Sequence, residues 1–186
     1  IVIGSMLSAV IIAAAFGTGD SIHYSIRNAA IEGLGNIDEV ITLADSSKSF
    51  GSPIPPYFPI TRFQGLKNDL EFSDSIDGLM PQVLGIGGAT NPHNSLFSGH
   101  TNVVGISPFH MDGFSDFIRQ DNEKVFLKDL APKEILINQT LSKELDAVSG
   151  NTLRLFVDES PVDLIVHAII RNGGLAGIDP TIVMPL

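Results

Sequence analysis

The sequence predicts an α+β chain: a long N-terminal helix, then helices and strands mixed, then mostly strands. Three observations predict it. Ile1 to Phe16 is apolar and uncharged, interrupted only by Gly4, Ser5 and Ser8. Beyond it, Ile22, Ile26, Ala29, Ala30 and Leu34 recur at spacings of three and four. From Leu130 to Ile170, strand-like apolar runs alternate with capping and turn residues.

The first run, taken as helix, rises about 24 Å against a hydrocarbon core of about 30 Å, which is most of a membrane span. A secretory signal would need basic residues in front of it, and a chain that opens at Ile1 has none. Such a chain is expected to be a fragment or a processed product. Residues 17–47 carry Asp20, Glu32, Asp38, Glu39 and Asp45 against Arg27 alone, so this flank reads as the outer side. The expectation is one nearly continuous helix from Ile3 to Leu34, stopped by Gly35. Val40 to Leu43 is then an apolar, β-rich run.

"SKSFGSPIPPYFPITR", residues 47–62, holds four prolines and reads as extended loop. Leu66, Leu70, Ser73, Ile76 and Asp77 give a second helix, ended by Gly78 and Pro81. Gln82 to Ile86 is a strand, "GIGGATNPHNSLFSGH" a hairpin or wide loop, and Asn102 to Ser107 a short strand. Phe114, Phe117 and Ile118 suggest a helical turn before the polar "RQDNEK". Then come a strand (Glu134 to Ile137), Asn138 as N-cap, a helix (Gln139 to Leu145), a turn at Ser149-Gly150-Asn151, a strand (Thr152 to Val157) and its partner (Val162 to Ile170).

Composition narrows the function. In 186 residues, 44% are hydrophobic and 17% charged, enough to bury a core. The net charge of -10 argues against a nucleic-acid partner, which wants a basic face. Without cysteine there is no disulfide framework, thiolate nucleophile or Cys-based zinc site.

Two catalytic readings can be weighed. Gly19-Asp20-Ser21-Ile22 is how the nucleophile block of a GDSL-type esterase begins. Such an enzyme also needs oxyanion donors from later Gly and Asn blocks and a His with Asp three positions before it. This chain offers Asp163-Leu-Ile-Val-His167, one residue too long and inside an apolar strand, and it has no Gly-x-Asn-Asp. His93, His100, His110 and Asp112 fall within twenty residues and are candidate metal ligands, imidazole and carboxylate suiting zinc or manganese. Their spacings of seven and ten fit no named motif. "GIGGAT" and "GTGD" lack the Lys of a phosphate loop and read as turns. Asn138-Gln139-Thr140 is a formal glycosylation sequon, but a helix-capping Asn138 is already occupied.

"GDSIHYSIRNAAIEGLGNIDEVI", following an apolar helix, resembles the exit of the first transmembrane helix in FtsX-like ABC transporter permeases. "KEILINQTLSKELDAVSGNTLRLFV" with "VDLIVHAII" resembles the MacB-type periplasmic core domain, with Gly150-Asn151 where that pattern has Gly-Asp. The resemblance implies residues 1–20 as the end of a transmembrane helix and 21–186 as an extracytoplasmic domain. It implies a mixed βα lobe near the membrane (about 21–86, with 171–186) and a smaller, mostly β lobe (about 101–170). It further implies a non-catalytic module with no cofactor, partnered by a cytoplasmic ABC ATPase and a second permease copy. Its folded domain would lie outside the cell membrane and transmit ATP-driven motion to a substrate or partner there. The alternative is a secreted hydrolase, either a GDSL-type serine enzyme or a His-rich metal enzyme.

Overall fold

Ile135, Leu136 and Ile137 are apolar at three consecutive positions, as in a strand covered on both faces, and all three are buried. They belong to a computed structural model that describes residues 21–42, 57–70, 75–157 and 160–186, except Ala29 and Glu32. In chain order its elements are α1 (the helical residues within 21–34), α2 (Ile60–Leu70), β1 (Gln82–Asn91), β2 (Leu96–Ile106), β3 (Phe117–Ile118), β4 (Lys124–Val125), β5 (Glu134–Asn138), α3 (Gln139–Leu145), β6 (Thr152–Val157), β7 (Ser160–Ile170) and β8 (Thr181–Pro185).

Six strands close a barrel in the order β1-β2-β8-β5-β7-β6, and β3 with β4 forms a separate hairpin. Two pairings are parallel, β2 with β8 and β5 with β7; the rest are antiparallel. The barrel draws on both stretches expected as lobes. β1, from the first, pairs with β2 and β6, and β8 lies between β2 and β5.

The core has two layers. The inner one joins Ala89, Ile135, Ile137, Leu153, Leu155, Leu164, Val166 and Ile182 to Leu141 and Leu145 of α3. The other lies on the outside of β2, β8, β5 and the end of β7. There Val104, Ile106, Leu136, Val183, Ala168 and Ile170 are covered by Phe117, Val125, Leu127, Leu175 and Ala176. Arg119 bridges to Ile170 and the Arg171 N–H donates to the Ile118 carbonyl, which ties the β3–β4 hairpin to the end of β7.

Asn138 locks these layers together. Its side-chain oxygen accepts from the N–H groups of Leu141 (3.0 Å) and Thr181 (3.2 Å), and its amide nitrogen donates to the carbonyls of Ala176 (3.1 Å) and Asp179 (2.6 Å). It thus caps α3, as its sequence position predicts. A side chain so buried and committed is not a glycan acceptor in the folded chain. At the other end of α3, the side-chain amides of Asn91 (3.1 Å) and Asn94 (2.9 Å) donate to the Leu145 carbonyl, which helix geometry leaves without a partner.

The segments from Glu134 to Leu145 and from Thr152 to Val157 agree with the sequence reading. Elsewhere the structure corrects it. Residues 37–42 are irregular, with Val40 and Ile41 exposed and, among the described residues, no strand beside them; Leu43 lies outside the described residues. Where a helical turn is expected at Phe114 to Ile118, residues 114–116 are irregular and Phe117–Ile118 is a strand, because the polar stretch after it forms a tight turn. Asn122 takes φ 71°, and the Arg119 N–H reaches the Glu123 carbonyl at 2.8 Å. α2 begins at Ile60 directly after Pro59, since proline is tolerated at a helix start. The glycine-rich stretch is the hairpin of β1 and β2, both longer than expected. The described part of α1 ends at Leu34; the expected continuation back to Ile3 lies outside the described residues, and no long N-terminal helix stands among the described ones.

Candidate functional site

β5 and β7 pair in parallel, and their register skips from Ile135↔Val166 to Leu136↔Ala168. The extra residue is His167. Such a bulge reverses the alternation of side chains, so Leu164 and Val166 point into the barrel whereas Ala168 and Ile170 join the outer layer. The backbone around it is held by the turn before β6: the Ser149 hydroxyl donates to the His167 carbonyl, and the Gly150 N–H donates to the Val166 carbonyl (2.7 Å). The Asn151 side chain accepts from the Val148 N–H at 3.0 Å, a bond that the Asp of the resembled pattern could also make.

Nδ1 of His167 lies 3.0 Å from Oε2 of Glu134, which also accepts from the Ala131 N–H at 2.9 Å. That N–H first, and the imidazole after it, hold the Glu134 carboxyl below its ordinary pKa. Across the β6–β7 hairpin, Arg154 grips Asp163 with two bonds of 2.7 and 3.0 Å. The guanidinium lowers the pKa of Asp163, and the carboxylate raises that of Arg154. Asp163 and His167 share a face, as their spacing along one strand predicts, but that face is exposed rather than packed; Asp163 is bound to Arg154 and it is Glu134 that orients the imidazole. An oriented imidazole can carry a proton. The nearby Ser149 hydroxyl is directed to a backbone carbonyl instead.

The candidate metal ligands separate. His93 is in the β1–β2 turn, with its N–H on the Asn91 side chain (3.2 Å), and His100 is exposed on β2. His110 and Asp112 share an open groove of about 220 Å³ with Lys67 and Asp77. The His110 ring stands edge-on to Phe63 at 5.1 Å, and its Nδ1 meets the Ser107 hydroxyl at 2.9 Å. Among the described residues no three His, Asp or Glu side chains gather where a metal could be held. Ser21 is helical, and Asp20 lies outside the described residues.

Sequence reasoning missed two contributors. Arg154 was not accessible to it, since the turn expected at 158–161 would set Arg154 opposite Ile165, whereas Val157 pairs with Ser160 and Arg154 therefore with Asp163. Nor was Glu134, because a parallel pairing that meets across 33 positions leaves no local signature.

Two surfaces remain open. The first is the end of α1, which meets the loop between β7 and β8 where Gly35 (φ 58°) approaches Gly174. A Cβ on Gly35 would lie 2.9 Å from the Gly174 Cα, so the close contact needs glycine. Ile37 follows and packs on the outer core layer, while Ile22, Tyr24 and Ile26 of α1 stay exposed. The second is the outer face of β1, β6 and the starts of β2 and β7, with Leu84, Ile86, Phe97, Phe156 and Ile165 exposed. Among the described residues no helix is long and apolar enough to cross a membrane; the run Ile1 to Phe16, expected as a span, lies outside them.

No family model matches the chain, and no curated protein matches it. Among solved structures the chain is similar to the periplasmic region of MacB from Actinobacillus actinomycetemcomitans, at 14% identity and a TM-score of 0.45. The match covers 73% of this chain, which spans 60% of that one.

Proposed function

We propose that this chain is the extracytoplasmic domain of an FtsX-like ABC transporter permease subunit. In this reading it catalyses nothing, binds a substrate or partner outside the membrane, and passes on motion generated by a cytoplasmic ATPase. The apolar run Ile1 to Phe16 supplies the membrane attachment, and a second permease copy completes the transporter.

The observation that carries the reading is the join between α1 and the barrel. The stretch that resembles a permease helix exit is helical from residue 21 and ends in the close Gly35–Gly174 contact. The stretch that resembles the periplasmic core is the continuous unit β5–α3–β6–β7, to which Asn138 ties the loop carrying Gly174. A helix has its backbone bonds satisfied internally and bends little over a few turns. Displacement of α1 along its axis would therefore reach the barrel through this contact.

These 186 residues have no cysteine, so one can be introduced here, with any cysteine elsewhere in the full-length protein first replaced by Ser. Val148, exposed in the turn before β6, is replaced by Cys in the full-length protein in its own cells. A membrane-impermeant maleimide is expected to label it before lysis, with the outer membrane, where there is one, made permeable. Labelling only after lysis would place the domain inside and overturn the reading.

A further inference from the structure

β1 closes the barrel along only part of its length. β6 pairs with Gly88, Ala89 and Thr90, and its hairpin with β7 ends there, Val157 pairing with Ser160. Gln82 to Gly87 has β2 on one side and, among the described residues, no strand on the other. In an antiparallel ladder, successive residues turn their backbone groups alternately toward and away from the partner. Ile106 and Asn102, opposite Gln82 and Ile86, turn theirs toward β8: the Ile106 carbonyl accepts from the Leu186 N–H (3.0 Å) and the Asn102 N–H donates to the Pro180 carbonyl (2.8 Å). Gln82, Leu84 and Ile86 must then turn their N–H and C=O groups to the open edge. Tyr57 marks that edge, its hydroxyl donating to the Leu84 carbonyl at 3.1 Å.

Side chains on the outer face continue the surface. Leu84 is 50% exposed, Ile86 63% and Phe97 60%. The Phe97 ring lies over Gly88, where an added Cβ would meet it at 3.0 Å, and Phe156 is the cross-strand neighbour of Gly88. Edge strands are normally guarded by lysine or another charge, yet no charged residue lies between Gly78 and Asn91. Among the described residues only the Leu84 carbonyl on this edge has a partner, the Tyr57 hydroxyl, which an added strand would displace; the remaining backbone groups call for another backbone, and the apolar outer face calls for apolar side chains on it. Charge decides whose strand it is. Two chains of net charge -10 repel each other, whereas a neutral or basic segment is not repelled.

We propose that Gln82–Gly87 is a strand-addition site for an extended, apolar, neutral or basic segment of a partner protein. The proposal does not depend on the permease reading. Its test uses the whole 186-residue chain and a synthetic probe peptide, Lys-Val-Thr-Val-Thr-Val-Lys, with amide hydrogen exchange read residue by residue. Saturating peptide is expected to slow the amides of Gln82, Leu84 and Ile86 about ten-fold or more, as expected for amides that gain a backbone partner. Ile86→Pro removes an edge N–H without touching the β2 ladder and should weaken binding about ten-fold, the loss expected for one hydrogen bond. Ile86→Lys, which keeps the N–H but sets a charge against the basic peptide, should weaken it too. No slowing at these amides, or slowing only elsewhere, would overturn the proposal. So would slow exchange already present in the dilute free chain, which would mean that its own residues cover the edge. Protection that grows with protein concentration alone would assign the edge to a second copy and refute a foreign segment.

Discussion

One side of the barrel is buried and the other is bare, although β2 and β7 contribute to both. On the β2–β8–β5 side, Val104, Ile106, Leu136 and Val183 lie under the β3–β4 hairpin and the loop around Leu175. On the β1–β6 side, Leu84, Ile86 and Phe156 face solvent. The bulge at His167 is the boundary, because it lets β7 serve the bare side as far as Ile165 and the covered side from Ala168. The difference teaches that apolar residues on the outside of this barrel hold the fold together only where a second layer meets them. Where none does, they are available for contact with something else.

Substitutions should separate the two sides. Ile106→Ala, under the cover, should cost about 2–5 kcal/mol in chemical denaturation. A loss below 1 kcal/mol would mean that the outer layer packs loosely. Next, Asn138→Ala should cost about 3 kcal/mol, since it removes a helix cap and strands the carbonyls of Ala176 and Asp179 and the N–H of Thr181. Its effect should appear as faster hydrogen exchange in α3 and β8 together; a change confined to α3 would reduce Asn138 to a simple cap. Gly35→Ala should cost about 1–2 kcal/mol for its left-handed backbone and should loosen α1 while leaving the barrel strands protected.

Acid should act on the bare side. Glu134 and Asp163 both have folded pKa values lowered by their partners. A lowered carboxylate pKa contributes stability that is present above the unfolded value and lost as pH falls through the folded one. Thermal stability should therefore drop as pH falls through the ordinary carboxylate range and below it, and less steeply in Glu134→Gln. Equal acid slopes in variant and parent would remove the Glu134–His167 pair from the account. The smallest effect is expected at Ile86→Ala, within about 0.5 kcal/mol. A loss comparable to that of Ile106→Ala would erase the distinction between the sides.

Legibility followed how local each signal was. α3 and its cap could be read because Asn138, Leu141 and Leu145 sit at helical spacing next to a strand of apolar neighbours. β1 and β2 were only partly legible, because Gly87 and Gly88 look like turn residues; the close approach of Gly87 to the Phe156 carbonyl and of Gly88 to Phe97 is visible only in the fold. Phe117 and Ile118 looked helical because their partners, Val125 and Lys124, follow a turn whose geometry depends on Asn122. Of the site, the shared face of Asp163 and His167 on one strand was legible, but not its exposure, because apolar neighbours on both sides read as a packed sheet. The partner of His167 was not, because parallel pairing and a bulge together decide it.

The most direct test of the central claim is to extract the full-length protein from its own membrane in detergent, purify it by affinity, and identify what accompanies it. Recovery from the membrane fraction with a stoichiometric ABC ATPase subunit, and ATP hydrolysis that disappears when that subunit is removed, is the result expected. Recovery from the soluble fraction, alone and with esterase activity lost in Ser21→Ala, would contradict the account and make Gly19-Asp20-Ser21-Ile22 a nucleophile block.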